Sequence, residues 1–355
     1  MTFEAIRQQF PILEQYTYFN TARYCATPKA VALIQERYLH SLSHHGSWNF
    51  EEWSDKYEKT RQMAAEMMSA KSDHIFFIPN VSTGINLSSL YLPKGRQVVL
   101  LNKDFPSVVL PWQSHGYEVA WCDYKAPDFY ASLEDTLKTG GKIICTSWVQ
   151  SADGFEIDLD RLFSWCKQYD ATLVLDGTQG FGAIPFEVDP EVSMVFFTSC
   201  FKWLLSGYGV AIGYVSDDLL SRFKAFQGWN SIDFGTGHAK TGAASLEVGN
   251  AMFLNVLALY EGLSMIMGLG VAEICARNEA YRNDLIHQLE SAGHQVRLAP
   301  GTRSTIFSVA VPEGKYEQLV HAQVQTSKQK GAVRLSPHFY NHQEDMDRLL
   351  THLSA

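Results

Sequence analysis

Short apolar runs alternate with longer stretches of helical spacing along the first two thirds of the chain. "QVVLL" (97–101), "KIICTSW" (142–148), "ATLVLDGTQ" (171–179), "VSMVFFTSC" (192–200) and "GVAIGYV" (209–215) have the length and β-branched content that predict strands. Between them, "DFYASLEDTLK" and "DLDRLFSWCKQYD" repeat their apolar positions every three to four residues, which predicts amphipathic helices. Strands that are apolar throughout must be covered on both faces. The pattern therefore predicts an α/β fold with a mainly parallel sheet between helical layers.

Near residue 250 the pattern changes. "NAMFLNVLALYEGLSMIMGLGVAEICARNEAYRNDLIHQLESAG" is periodic over a longer span than a typical globular helix. Short strands follow ("HQVRLA", "STIFSVAV"), then a last helix, "QEDMDRLLTHLSA". This predicts a large domain over residues 16–250 and a smaller α+β domain built from 1–15 and 251–355, with the first helix of the long stretch bridging the two.

Composition narrows the function classes. The 355 residues are 46% hydrophobic and 19% charged, with a net charge of -9 and no basic block. Nucleic-acid binding needs clustered Lys and Arg, so that class is set aside. The most apolar stretch, "VLALYEGLSMIMGLGVA", is interrupted by Glu261 and reads as a buried helix rather than a membrane span. "MTFEAIRQQFPILEQ" carries early charge and no apolar core of signal-peptide length. Six scattered cysteines without a CxxC pair fit reduced, buried thiols and a cytoplasmic protein, with no metal site. "GTGHAKTG" (235–242) is not a P-loop, because Ala239 stands where glycine is required before Lys240.

In open α/β sheets, ligands bind at the carboxyl ends of the strands. One predicted strand ends at Asp176, before "GTQG", and the next ends just before "TSCFK". Asp176 and Lys202 would thus project into one crevice, and Lys202 has no acidic residue within five positions on either side. A desolvated lysine attacks carbonyls, and a buried acid keeps a ring nitrogen protonated. The two together suit pyridoxal phosphate (PLP). The competing reading is an ordinary strand-end acid and a lysine that snorkels to solvent.

Seven segments decide between these readings: "YTYFNTARYCATP", "NVSTGINL", "DFPSVVLPWQ", "SWVQSADGFEIDL", "LDGTQGFGAIPFEVD", "FKWLLSGYGVAIGYV" and "VRLSPHFYN". Nearly end to end, the chain resembles the class V aminotransferase family of fold type I PLP enzymes, which includes cysteine desulfurases, selenocysteine lyases, kynureninases and isopenicillin N epimerase-like proteins. The resemblance implies that Lys202 is the Schiff-base lysine and proton shuttle, and that Asp176 pairs with the pyridine nitrogen. It makes Gln179 the partner of the ring hydroxyl and Phe105 the stacking ring. Ser82, Thr83 and Gly84 become the phosphate turn, with Ser199 reaching the same group. Arg334 matches the arginine that binds the substrate α-carboxylate, and Asn20, Trp148 and Gln150 are expected to line the substrate pocket. Asn250 is expected to reach the partner's phosphate across a homodimer interface. Two roles stay open for Arg23: contact with an acidic substrate side chain, or a surface position.

Three departures bear on the reaction. Phe201 stands where many relatives have a tyrosine. Phe105 stands where desulfurases have histidine. No cysteine follows Cys275, whereas desulfurases carry their thiol nucleophile shortly before the carboxylate arginine. The expectation is an aminotransferase-like or lyase-like enzyme acting on an amino acid, without desulfurase activity. The alternatives are an amino-acid epimerase and a degenerate PLP-binding or amino-acid-binding protein.

Overall fold

The structure, a computed structural model, describes residues 2–223, 228–233 and 235–354. Its strands, in chain order, are β1 (Thr17–Tyr18), β2 (Ile75–Ile78), β3 (Gln97–Leu101), β4 (Val119–Cys122), β5 (Gly141–Ser147), β6 (Thr172–Asp176) and β7 (Met194–Ser199). They continue as β8 (Ala211–Val215), β9 (Val296–Arg297), β10 (Phe307–Ala310), β11 (Val324–Gln325), β12 (Ser327–Gln329) and β13 (Ala332–Leu335).

Seven of these form one sheet in the order β2-β8-β7-β6-β5-β3-β4. β7, β6, β5, β3 and β4 pair in parallel, while β8 runs antiparallel to both of its neighbours. Both faces are buried, as the continuous apolar runs predict. Leu173, Leu175, Met194 and Phe196 enter one core cluster, and their alternates Val174, Val195 and Phe197 enter the other. The five predicted strands all appear. β2 and β4 were not predicted: "IFFI" and "VAWC" are only four residues long and follow directly on helical or turn residues.

Local chemistry sets the helix ends that frame the sheet. Asp158 caps the helix Leu159–Tyr169 by accepting from the backbone N–H of Arg161 at 3.0 Å, and Asp170 closes it in a left-handed conformation. The long periodic stretch after 250 is two helices, Phe253–Leu269 and Val271–Ser291, which meet at 76°. Gly270, with φ +84°, supplies the break, in a conformation that other residues adopt only under strain. The first helix packs on helices Lys29–His45 and Phe50–Glu66; the second sends Leu285 and Leu289 into the core beneath the four-stranded sheet β12-β13-β10-β9. No single described helix is long and apolar enough to cross a membrane.

The N-terminal segment joins the C-terminal part of the chain in a small sheet of its own. β1 pairs in parallel with β11, and Asn20 bridges to Ser336 just beyond β13. Arg7 holds the segment down through Asp345, at 2.8 Å. This arrangement delivers residues 20–25 to the carboxyl ends of β6 and β7.

Candidate active site

β6 ends at Asp176 and β7 at Ser199, side by side in the middle of the sheet. Asp176 is buried and accepts from the backbone N–H of Thr178 at 2.9 Å. Burial pushes its carboxyl above the usual range, and Lys202 is the one nearby cation opposing that. Among the described residues no acid lies within ion-pair distance of Lys202. Burial lowers its amine to about 8, with Asp176 opposing the shift and Arg334 adding to it. The Lys202 Nζ lies 6.0 Å from the centre of the Phe105 ring and 5.5 Å from that of Phe201.

A cavity of about 150 Å3 opens here, lined by Ser82, Phe105, Asp176, Gln179, Ser199 and Lys202 among others. One wall is the first turn of the helix Val81–Tyr91. Such a turn offers free N–H groups and the positive end of the helix dipole to an anion. Ser82 lines the cavity and shares a hydrogen bond with Ser107, 2.7 Å between hydroxyl oxygens. Thr83 and Gly84 depart from expectation. The Thr83 N–H and hydroxyl both donate to the Asn80 carboxamide, so Asn80, the N-cap, is the residue on the cavity wall. At Gly84 a Cβ would sit 2.4 Å from the Phe197 ring, so the absence of a side chain serves the packing of helix on sheet.

Phe105 is 47% exposed and caps the helix Pro106–Ser114. Its backbone N–H donates to Asp104, whose buried carboxylate also accepts from the Ser147 hydroxyl at 2.6 Å and N–H at 2.9 Å. Asp104 and Ser107 went unnoticed in the sequence although both stand in the segment "KDFPS". Gln179 donates to the Ala22 carbonyl at 2.9 Å and accepts from the Trp203 indole at 2.9 Å, which leaves one N–H for a ligand.

Trp148 and Gln150 do not line this cavity. Ser147, Val149 and Ser151 do. The chain bends at Trp148, just past the end of β5, and turns from Ser151, so the expected segment reaches the cavity through other residues than the two named. Trp148 is fully buried in the core beside Phe186; the Gln150 backbone N–H donates to the Phe155 carbonyl at 2.8 Å, while its side-chain Nε2 is buried without a partner.

Arg334, on β13, donates through Nη1 to the Ser151 carbonyl and through Nη2 to the Ser327 hydroxyl at 3.2 Å. Its Nε is buried without a partner. Burial, then the charge of Arg23, lowers this guanidinium to about 10, so it stays charged at neutral pH with no carboxylate beside it. The Ser327 hydroxyl donates onward to Asn20 at 2.5 Å, which places Asn20 behind Arg334. Asn250 is exposed and outside this cavity.

These residues fit PLP. A buried carboxylate without a cation suits a protonated ring nitrogen, an amine without an acid suits a carbonyl, and a helix N-terminus suits a phosphate. A strand-end lysine and aspartate converging on such a cavity define a PLP-dependent enzyme of fold type I. The family profile "Aminotransferase class-V" matches residues 18–349, and the chain belongs to that family. An uncharacterised aminotransferase of Bacillus subtilis is 27% identical over 99% of this chain and 97% of its own length. A probable cysteine desulfurase of Vibrio cholerae is 21% identical, covering 99% and 97%. Among solved structures, the apo cysteine desulfurase of Thermococcus onnurineus superposes with a TM-score of 0.87 at 20% identity, over 99% of this chain and 97% of that one. The cystine C–S lyase C-DES, in complex with its product cysteine persulfide, gives 0.85 at 20% identity, over 98% and 99%. Both share the fold.

Proposed function

We propose that this enzyme transforms the α-amino group of an amino acid by transamination or by elimination, and does not extract sulfur from cysteine. The observation that carries the reading is the grouping of a buried Asp176 with half-buried Lys202 and Arg334, none of them in an ion pair among the described residues. Bound PLP supplies the carbonyl that captures the substrate amine and the electron-withdrawing ring. Arg334 holds the substrate α-carboxylate in a two-pronged grip, which turns the Cα–H bond toward Lys202. Lys202, with an amine near 8, removes and returns the proton at Cα under neutral conditions. Asp176 keeps the ring nitrogen protonated, and Phe105 covers the ring and limits water.

The cysteines speak against sulfur transfer. All six are buried, and burial pushes Cys25, Cys166 and Cys275 up to about 12 and the other three upward as well. A thiolate nucleophile needs the opposite environment, one that is exposed and electropositive.

The test is a panel of amino acids supplied to the PLP-loaded protein, with keto acid, ammonia and sulfide measured as products. Keto acid dependent on an acceptor, or ammonia without one, supports the reading. Sulfide and alanine from cysteine overturn it. Racemisation without either product assigns an epimerase, and binding without any product assigns a degenerate binding protein.

A further inference from the structure

Arg334 is not the sole uncompensated cation at this site. Arg23 has no ion pair and no side-chain hydrogen bond among the described residues, in a chain whose net charge is -9. Its side chain is exposed, on a turn whose flanking residues are buried or half-buried.

Its backbone is fixed by the catalytic machinery. The Asn20 side chain accepts from Ser327, the residue that holds Arg334. The Ala22 N–H donates to the Ser336 hydroxyl at 3.0 Å, and the Ala22 carbonyl accepts from Gln179 at 2.9 Å. The Cys25 N–H donates at 3.0 Å to the carbonyl of Phe201, next to Lys202. The Arg23 N–H itself closes the turn onto the Asn20 carbonyl at 2.9 Å. The turn that carries Arg23 is thus tied to Phe201 beside Lys202, to Gln179 on the wall of the first cavity, and to Ser327 and Ser336 around Arg334.

Beside this turn opens a second, larger cavity of about 920 Å3. Asn20, Arg23, Tyr24, Lys29 and Thr326 contribute to its wall, and no acidic residue lines it. Thr326 is 3% exposed and its hydroxyl is buried with no hydrogen-bond partner. Much of this lining is apolar, Pro11, Ile12, Tyr18 and Leu33 included, and Lys29 is tied to the Gln8 carbonyl; the charges on the wall are nonetheless all positive and Thr326 offers an unsatisfied hydroxyl, a setting that suits an anion. The charge of Arg23 also reaches Arg334 strongly enough to lower its pKa, so the two guanidinium groups share one electrostatic neighbourhood.

We propose that Arg23 is a specificity-determining residue that binds the side-chain carboxylate of the substrate, so that the enzyme's amino acid is a dicarboxylic one. The assignment rests on the reading of Arg334 as the α-carboxylate site. A ligand with two carboxylates neutralises both cations and relieves their repulsion. A neutral side chain leaves Arg23 unpaired, and a basic one adds a third positive charge.

Two measurements test it. In the first, kcat/KM for aspartate, glutamate and 2-aminoadipate is compared with that for alanine and 2-aminobutyrate, in wild type, Arg23→Ala and Arg23→Lys. Wild type should favour a dicarboxylic substrate, and Arg23→Ala should reduce that preference about 10- to 100-fold, in the range of one charge-assisted hydrogen-bonded pair. Arg23→Lys should restore part of it. The second is calorimetric titration of the PLP-loaded protein with glutarate and with butyrate, which need no turnover. Glutarate should bind about tenfold tighter or more, and Arg23→Ala should abolish the difference. Equal preference for neutral amino acids, or equal binding of glutarate and butyrate, overturns the inference. Glutarate selectivity without turnover of any amino acid would sustain it while removing the proposed reaction.

Discussion

At the scale of single residues, the site is defined by charges without partners. Lys202 shows what such a charge costs. Burial lowers its amine from 10.5 to about 8. Between those values the unfolded lysine is protonated and the folded one is neutral. The unfolded state then binds more protons, and stability rises with pH across that window. Below about pH 8 both states are protonated and the full penalty is present, at most about 3 kcal/mol. Lys202→Met removes the charge at similar volume. The cofactor-free variant should therefore melt above wild type at pH 7, and its advantage should shrink as the pH climbs from 8 to 10.5. Thermal scans across that range check it; an advantage that stays constant with pH would show that packing, not charge, is the cause. The placement of Asp176 and Lys202 at the ends of neighbouring strands was legible in the sequence from the strand signals, while the chemistry proposed for them came from the resemblance. Arg23 was legible only as a choice between two roles, since the absence of an acid around it depends on residues hundreds of positions away.

At the scale of elements, the phosphate-side turn depends on how closely its helix lies on the sheet. Gly84 brings the helix Val81–Tyr91 against Phe197, with no space for a methyl group. Gly84→Ala should force the helix outward, cost about 1–3 kcal/mol by overpacking, and weaken PLP binding with it. A urea titration and a PLP titration of the variant read the two effects. Loss of stability with unchanged PLP affinity would separate the turn from the phosphate. The sequence segment "NVSTGIN" marked this turn, but it pointed to Thr83 and Gly84 rather than to Asn80. Whether a glycine serves a ligand or a neighbouring ring is decided by what stands opposite, here Phe197, 113 positions further along the chain. The same holds for Trp148 and Gln150: the segment was evident, but which of its residues meet the cavity depends on how it leaves β5.

At the scale of the whole molecule, a set of large apolar side chains is left in water. Trp48 is 89% exposed, and Leu33, Leu39 and Phe50 on the adjoining helices are each more than half exposed. A second copy of the chain is one way such side chains would be removed from water. Symmetric pairing of two copies would cover them, so light scattering should report twice the chain mass of 40.0 kDa. Trp48→Glu should shift that mass toward the single chain; a monomeric wild type would leave the apolar face without this explanation.

What the sequence by itself determined is the layered α/β architecture, from apolar runs that must be covered on two faces. It also singled out the two groups proposed to act on the cofactor: the spacing of an acid and a lysine left two readings open, and the resemblance along the chain chose between them. Only the tertiary structure decided the rest. It broke the long periodic stretch at Gly270, buried all six thiols, turned Trp148 into the core, and left Arg23 and Arg334 without an ion pair among the described residues. Each of these outcomes depends on which distant residues share a volume, and burial and unpaired charge are properties of that volume rather than of any local run of residues.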